Sequence, residues 1–401
     1  MSEITKITEF PSQKRSLYDY GYDKKNFVST HDSKDLGIEF LVFAGGGISG
    51  SAYIGVANEF ERRGLLKDIK YFIGSSSGAI MAALLALGAT SDFIENTFKN
   101  VNIAEFLDVG GRCYNDKSML QQIQNYKDAL FDTIKHFGAA RGYKFLTFFE
   151  EVMIKLKWSS DTTFLELFHK TGNHLVVTGT SLNTHSTLFF SKSSYPHMKI
   201  KDAVHMSMIL PFLYQPVLFD DPLCTHGPRI VIDGGILSNL PINACDVTND
   251  VGEILGFNRK VVGFVLVENG KWAEDYKNID TIFKFSEEII KSLHSNLIIQ
   301  QSQQPYFWDR VVAIDVSVDT LQFDATLQDL NNTIEAGKKA TKKFLDQRIS
   351  TISKYGPLPE NLFIPNDRLI IQGVTHLSNN LIKNTKVYQT DPDNFAYNKI
   401  K

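Results

Sequence analysis

The amino-acid sequence predicts an α/β protein in which a mainly parallel central sheet lies between two layers of helices. Residues 38–88 contain two strands, each followed by a glycine-rich turn and a helix, which is the arrangement of a βαβ unit. Single apolar strands alternate with helical segments through the rest of the chain, and the apolar run Val261–Val267 is typical of a strand buried on both faces. In sheets of this kind, functional sites lie at the carboxyl ends of the strands.

The first glycine-rich turn follows the strand Ile38–Phe43 and reads Gly45-Gly46-Gly47-Ile48-Ser49-Gly50. Successive glycines allow several amide N–H groups to face one concavity, which suits a phosphate or the oxyanion of an acyl-transfer intermediate. The turn lacks the lysine of a GxxxxGK[ST] loop and the spacing of GxGxxG, so the oxyanion is the favoured ligand.

The second turn follows the strand Ile69–Ile73 and reads Gly74-Ser75-Ser76-Ser77-Gly78. A run of helix formers comes next and ends at Gly88. This is the GxSxG pattern of a nucleophile elbow centred on Ser76, in which Gly74 and Gly78 permit the sharp turn. Parallel pairing of the two strands brings the first turn, including Gly50, to the same edge of the sheet as Ser76.

A third short strand, Arg229–Ile232, delivers Asp233 to the turn glycines Gly234 and Gly235. A serine hydroxyl needs a base within hydrogen-bond reach before it can attack a carbonyl group. Asp233 is the candidate base. By itself, an aspartate in this position is also explained as a turn residue that caps its own loop.

The intervening segments are predicted as a largely helical insertion over residues 91–170 and a series of further strands and helices. The predicted strands are Leu175–Thr180, Ser186–Ser191, Pro216–Phe219 and Val311–Val316. The predicted helices are Lys199–Met208, Ile279–Gln303 and Thr326–Leu345. The predicted organisation is a polar leader over residues 1–36, a catalytic domain over 37–348 and a polar tail over 349–401.

The amino-acid composition argues against several classes of function. The formal net charge is −3, from 42 basic and 45 acidic residues without a block of one sign, so no nucleic-acid partner is expected. The three cysteines are scattered, and no ligand cluster accompanies the motifs, so we expect neither a metal nor another cofactor. No Sec signal is recognised, which predicts a cytoplasmic protein or one exported by another route, with any membrane attachment peripheral and local.

Taken together, GGGxxG, GxSxG and DGG in this order resemble the motifs of the patatin-like phospholipases, serine acyl hydrolases that use a Ser-Asp dyad. The segments Ala203–Pro216 and Asn239–Pro241 are also similar to this family, and the resemblance spans residues 36–348. It implies a three-layer α/β/α patatin-like fold with Ser76 as nucleophile and Asp233 as its base. It further implies an oxyanion hole made by the amides of Gly45, Gly46 and Gly47.

The resemblance also implies a function. The expected activity is that of a lipid acyl hydrolase of phospholipase A type, with a phospholipid or another acyl-ester lipid as substrate at a peripheral membrane surface. The insertion over residues 91–170 corresponds to the region that caps the site in the family, although its aromatic residues are equally typical of ordinary core. Some family members act only with a protein activator, and one is expected as a partner here on that ground.

One residue departs from the family pattern, and two alternatives stay open. Ser49 stands where the glycine loop usually has a basic residue, which leaves the charge preference for substrate undefined. A Ser-Asp-His triad would need His294 or His376, both of which the sequence predicts to be exposed. A catalytically silent or host-factor-activated effector module on the same fold is the other alternative.

Overall fold

A computed structural model of the protein describes residues 36–108, 131, 135–222, 224, 227–248, 254–268, 282–304, 306–318, 320, 322, 325–355 and 361–363. The predicted leader, apart from Leu36, and most of the predicted tail lie outside these residues, as does His376. The division into leader, catalytic domain and tail stays a prediction, and the final helix runs through the proposed boundary at residue 348.

The described strands agree closely with the predicted ones in position. They are β1 Phe40–Phe43, β2 Tyr71–Gly74, β3 Gly138–Ala140, β4 His174–Ser181, β5 Ser186–Ser191, β6 Phe212–Tyr214, β7 Val217–Phe219, β8 Arg229–Asp233, β9 Val247–Thr248, β10 Ile254–Asn258, β11 Val261–Glu268, β12 Val311–Val316 and β13 Asn361–Phe363. The strands β3, β6, β9, β10 and β13 were not predicted.

The described helices alternate with the strands. They are α1 Ala52–Arg62, α2 Ser77–Ala86, α3 Ser91–Lys99, α4 Tyr143–Lys155, α5 Phe164–Thr171, α6 Ile200–Ser207, α7 Gly235–Ser238, α8 Ile282–Ser302, α9 Phe307–Arg310 and α10 Leu327–Tyr355. Helix α10 is longer than predicted and ends ten residues after Leu345, the predicted last residue. None of the described helices combines the length and the apolar composition that crossing a membrane requires.

The central sheet has the strand order β12-β11-β1-β2-β4-β8-β7, and β5 forms a hairpin with β4. Strands β12, β11, β1, β2 and β4 are parallel, which confirms the predicted α/β fold with a mainly parallel sheet. Strand β8 is different: it runs antiparallel to β4, with Asp233 opposite Gly179. Asp233 therefore reaches the functional edge of the sheet from the opposite direction to Ser76.

Apolar side chains fill both faces of the sheet and so form a three-layer molecule. One face carries Leu41 and Phe43 beneath α1, α2 and α10. The opposite face carries Phe40 and Val42, which pack with Ile298 of α8. These alternating residues of β1 are all buried, as expected for a strand with helices on both sides.

Close contact between α1 and α10 fixes the helix that follows the first glycine turn. A Cβ atom on Gly55 would lie 1.9 Å from the Ile334 carbonyl oxygen, and one on Gly337 would lie 1.9 Å from the Ala52 carbonyl oxygen. Glycine at both positions lets the two helix backbones meet directly. The start of α1, and with it the glycine turn, is held against a long helix.

Candidate active site

The backbone at Ser76 has the geometry of a nucleophile elbow. Ser76 lies between the end of β2 and the start of α2 with φ 52° and ψ −126°, a conformation that non-glycine residues rarely adopt and that costs about 1–3 kcal/mol. A Cβ atom on Gly74 would lie 2.2 Å from the Gly78 carbonyl oxygen, and one on Gly78 would lie 2.3 Å from that of Phe43. Both glycines of the motif are therefore required by close backbone packing.

The glycine turn lies directly against this elbow. A Cβ atom on Gly45 would lie 3.0 Å from the Cβ of Ser76. Gly47 has φ +52°, and a side chain there would meet the Thr320 carbonyl oxygen at 2.1 Å, whereas one on Gly46 would meet Leu266 at 2.4 Å. The structure thus brings the first two predicted motifs together, as their parallel strands require.

The three predicted oxyanion amides do not have the same environment. The Gly45 N–H donates to the carbonyl oxygen of Asn239 at 3.2 Å. The N–H groups of Gly46 and Gly47 have no acceptor among the described residues. In this structure the Gly45 amide thus holds the turn in place, whereas those of Gly46 and Gly47 are free among the described residues, and the oxyanion hole itself stays a prediction.

Ser49, the departure from the family pattern, has a structural role. Its side chain is buried, and its Oγ donates a hydrogen bond of 2.6 Å to the carbonyl oxygen of Val318. A Cβ atom on the neighbouring Gly50 would lie 2.5 Å from Ser77 Oγ, so this part of the turn is packed against the elbow.

Asp233 is fully buried beside the elbow. Burial raises the pKa of its carboxyl group to about 7, although hydrogen bonding from Ser76 and from the Gly235 amide opposes the shift. The Gly235 N–H donates to Asp233 Oδ1 at 2.7 Å. Asp233 Oδ2 has no hydrogen bond of ordinary length and angle among the described residues, so the Ser76 hydroxyl is close to the carboxyl group without being fully aligned with it.

Ser207, at the end of α6, is a positioning residue that sequence analysis did not identify. Its Oγ accepts a hydrogen bond of 2.9 Å from the Ser76 amide, and its carbonyl oxygen accepts one of 3.3 Å from the Gly234 amide. One residue therefore ties the nucleophile turn to the aspartate turn. A Cβ atom on Gly234 would lie 2.2 Å from Thr178 Oγ1, which explains the first glycine of DGG.

His294 differs from its predicted environment. The side chain is half-buried, with its Nε2 atom enclosed, and this loss of solvation lowers the pKa of the imidazole to about 4, so the ring is neutral at pH 7. A Cβ atom on Gly235 would lie 2.9 Å from His294 Nε2 and 3.0 Å from Asp233 Oδ1, so both side chains lie next to this glycine. No hydrogen bond joins His294 to Asp233 or Ser76 within the described residues, so the arrangement is not that of a Ser-Asp-His triad.

An apolar cavity of about 100 Å³ opens beside Ser76. Its walls come from the glycine turn, from the predicted insertion and from the segment after α6; the apolar lining residues include Phe98, Ile103, Phe106, Phe145, Leu210 and Tyr214. Phe106 and Phe145 also belong to the main core. The described part of the insertion therefore both lines the cavity and contributes to the core.

A larger pocket of about 590 Å³ lies elsewhere, between the β5 strand, the segment after α7 and helix α8. Asn239 lines it, but Ser76 and Asp233 do not. Its size would favour this pocket as the active site, but the candidate nucleophile Ser76 lines the smaller cavity. The cavity at Ser76 is therefore the candidate active site. The described residues contain no group of three or more His, Cys, Asp or Glu arranged to hold a metal ion.

The parallel sheet, the elbow at Ser76 and the glycine turn facing it define the class of α/β proteins that carry a nucleophile-elbow turn at the sheet edge. The particular family follows from the whole pattern of residues. The model of the patatin-like phospholipase family matches residues 41–246, which is half of the chain, and this protein belongs to that family. At the level of the family, its activity is lipid hydrolysis.

The individual proteins similar to this chain share about a quarter of its residues or fewer. The chain is 27% identical over 319 residues to "Uncharacterized protein YqhO" of Bacillus subtilis, which covers 76% of this chain and 97% of the relative. It is 25% identical over 251 residues to "Probable lipid hydrolase 463L" of Invertebrate iridescent virus 6, covering 61% and 74% respectively. The crystal structure of VipD from Legionella pneumophila is similar with a TM-score of 0.45 and 17% identity, over 78% of this chain and 67% of VipD.

Proposed function

We propose that this protein is a lipid acyl hydrolase of phospholipase A type in which Ser76 is the nucleophile and Asp233 its general base. The observation that carries the proposal is a serine in a strained elbow beside a buried carboxyl group, at the mouth of an apolar cavity. The pKa of about 7 suits Asp233 to accept and return a proton near neutral pH. Family membership supports a lipid as the substrate.

In the first step, Ser76 Oγ forms a bond to the ester carbonyl carbon while its proton passes to Asp233. The negative charge that develops on the carbonyl oxygen is stabilised by the free N–H groups of Gly46 and Gly47, each such donor contributing about 2.7–4 kcal/mol in comparable sites. The ester C–O bond then breaks, and Asp233 returns the proton to the leaving alcohol. The product of this half-reaction is an acyl group on Ser76.

In the second step, a water molecule attacks the acyl carbon while Asp233 accepts one of its protons. The bond between Ser76 Oγ and the acyl carbon breaks, the serine regains its proton from Asp233 and the free fatty acid leaves. The fixed contact of the Gly45 amide with Asn239 keeps the neighbouring amides oriented through both steps. His294 stays neutral and takes no proton.

The cavity suggests how the insertion contributes. The cavity volume of about 100 Å³ is well below the range of about 300–1,000 Å³ of ordinary ligand pockets. A long acyl chain needs more room, so Phe98, Phe106 and Phe145 must shift when the substrate enters. We propose that this part of the insertion is the cap of the acyl-binding site, and that opening it is the step on which a protein activator acts.

The test is product analysis by mass spectrometry. Purified full-length protein is incubated with phospholipid vesicles in the presence of a chelator, with and without added cell lysate. We expect free fatty acid and lysophospholipid in equal amounts, in at least one of these conditions, because the reaction cleaves an acyl ester and requires no metal. Release of the head group instead, or no release of fatty acid with or without lysate, would contradict the proposal.

A further inference from the structure

A short ribbon at the mouth of the cavity has an unusual outer surface. It consists of the parallel pair β3 and β6, in which Gly138 is opposite Phe212 and Ala140 is opposite Tyr214. We call its exposed side the ribbon surface. It comprises the exposed or partly exposed side chains of Phe131, Phe137, Tyr143 and Phe212 together with Lys135, Arg141 and Lys144.

The inner side of the ribbon is firmly anchored. Ala139, Ala140 and Tyr214 are buried in one cluster with Ile232 of β8 and Ile290 of α8. A Cβ atom on Gly138 would lie 2.1 Å from the backbone of Tyr214, so the two strands are in direct contact. The backbone of the ribbon is thus part of the packed structure.

Asp108 fixes the chain that follows β3. Its carboxylate accepts hydrogen bonds from four successive backbone N–H groups, those of residues 141–144, at distances of 2.8, 2.8, 2.9 and 3.3 Å. These groups include the first amides of α4, where a negative charge is favourable. Arg141 and Tyr143 are therefore presented from an ordered turn.

Two aromatic residues of the ribbon surface are held in a conformation that is unfavourable for them. Phe137 has φ 64° and is 71% exposed, and Phe212 has φ 66° and is 41% exposed. Bulky side chains rarely occupy this left-handed region. At these two neighbouring positions the backbone is strained and a phenyl ring is in contact with water. Both features are unfavourable, which indicates that the rings bind a partner outside the chain.

The charges around these rings indicate the chemistry of that partner. Residues 131–144 include three basic residues, Lys135, Arg141 and Lys144, and one acidic residue, Asp132, although the whole chain has a net charge of −3. Lys135 Nζ lies 5.6 Å from the centre of the Phe131 ring. Aromatic rings interleaved with basic side chains are typical of surfaces that enter the head-group region of an anionic bilayer.

The ribbon surface is also beside the site where a lipid would react. Tyr214, which follows Phe212 by two residues, lines the cavity with Leu210 and Ser76. A bilayer in contact with Phe212 would therefore face the cavity mouth. The same basic and aromatic side chains on another part of the molecule would offer no such route for an acyl chain.

We propose that the ribbon surface docks this protein on an anionic lipid bilayer, with Phe137 and Phe212 inserted among the head groups and the exposed side chains of Lys135 and Arg141 paired with lipid phosphates. The inference deepens the proposed function, since it names the membrane surface from which the lipid substrate enters. It adds Phe212, which lies outside the insertion, to the residues expected to contact lipid.

The test is cosedimentation with vesicles, carried out in the Ser76→Ala background so that turnover does not alter the lipid. Asparagine tolerates positive φ better than phenylalanine, so the double variant Phe137→Asn, Phe212→Asn keeps the fold, which a thermal melt checks. We expect the double variant to lower the partition coefficient on vesicles containing phosphatidylglycerol by at least about tenfold. High salt or vesicles of phosphatidylcholine alone should weaken binding of the parent protein.

Ile154→Asn is the matched control. Ile154 is 60% exposed on α4, and it lies one turn after Glu150 and Glu151, so it is an exposed apolar residue in acidic surroundings. We expect its partition coefficient to stay within about twofold of the parent value. Binding of the double variant equal to that of the control would overturn the proposal, as would a parent protein that binds neither kind of vesicle. Because the assay measures binding alone, failure of Ser76 as nucleophile would leave its result unchanged.

Discussion

Ser76→Ala protein should release fatty acid at least about 10⁴-fold more slowly than the parent protein, because loss of a serine nucleophile removes the covalent pathway altogether. The fold should be unchanged. Alanine keeps the Cβ that already occupies the strained position at φ 52°, and the substitution removes only one hydroxyl group from a buried edge. The measurements are the initial rate of fatty acid release and the melting temperature of both proteins.

Ser75→Ala is the matched control for this substitution. The Ser75 hydroxyl is buried one residue from Ser76 and has no hydrogen-bond partner in the described part of the chain. Its removal should leave the rate within a few fold of the parent rate. An active Ser76→Ala protein together with an inactive Ser75→Ala protein would show that the elbow presents a different hydroxyl group.

Asp233→Asn should abolish nearly all activity while it stabilises the protein at alkaline pH. The amide has the shape of the carboxyl group but cannot accept the serine proton, so the rate should fall by about 10²–10⁴-fold or more. The effect on stability has the opposite sign, because Asp233 must be buried as an anion above pH 7 and the amide carries no charge.

The pH dependence of stability follows from the raised pKa. Unfolded Asp233 has a pKa near 3.8, whereas the folded group has one of about 7, so the folded state gains stability as the pH falls from 7 towards 4. The corresponding free energy is about 4 kcal/mol. The melting temperature of Asp233→Asn should exceed that of the parent by several degrees at pH 8, and the difference should vanish near pH 4.

Activity should rise with increasing pH, whereas the stability contributed by Asp233 falls. The base form of Asp233 is the carboxylate, so the apparent rate constant kcat/KM should rise as the pH increases through about 7 and then stay level. From sequence, a carboxylate base is expected to remain active below the pKa of a histidine, about 6.5. Burial of Asp233 removes that distinction, so pH alone does not separate a dyad from a triad.

Substitution of His294 distinguishes a Ser-Asp dyad from a Ser-Asp-His triad. His294→Gln should retain a substantial fraction of the activity of the parent, because no hydrogen bond links the imidazole to Ser76 or Asp233 in the described residues. A folded His294→Gln protein as inactive as Ser76→Ala would replace the dyad by a triad. Asp233→Asn protein that keeps its activity would exclude Asp233 as the base.

Much of the fold could be predicted because its motifs are local. Apolar runs that end at glycines define β1, β2 and their turns, and parallel pairing then brings Gly45 close to Ser76 without any long-range information. The direction of β8 could not be predicted in this way. It is reached through a hairpin and irregular loops, and no pattern within five residues encodes which way a strand runs.

The remaining differences depend on contacts between distant residues. The hydrogen bond from Gly45 to Asn239 and the buried hydroxyl of Ser49 involve partners far away in the chain. His294 has polar neighbours in sequence and was expected to be exposed. The side chain is half-buried, and a Cβ atom on Gly235 would lie 2.9 Å from its Nε2 atom, so glycine at this position leaves room for the imidazole next to the aspartate turn. The three-residue strands of the ribbon are too short to give a periodic pattern.

The most direct test of the account is covalent labelling of the native protein with a fluorophosphonate, followed by peptide mapping. In this reaction Ser76 Oγ forms a bond to phosphorus, fluoride leaves and the serine proton passes to Asp233, so labelling reports the nucleophile and its base independently of any lipid. We expect a single adduct on Ser76, lost in Ser76→Ala, greatly slowed in Asp233→Asn and retained in His294→Gln. An adduct on another residue, or labelling of Ser76 at an unchanged rate in Asp233→Asn, would contradict the assignment of this dyad.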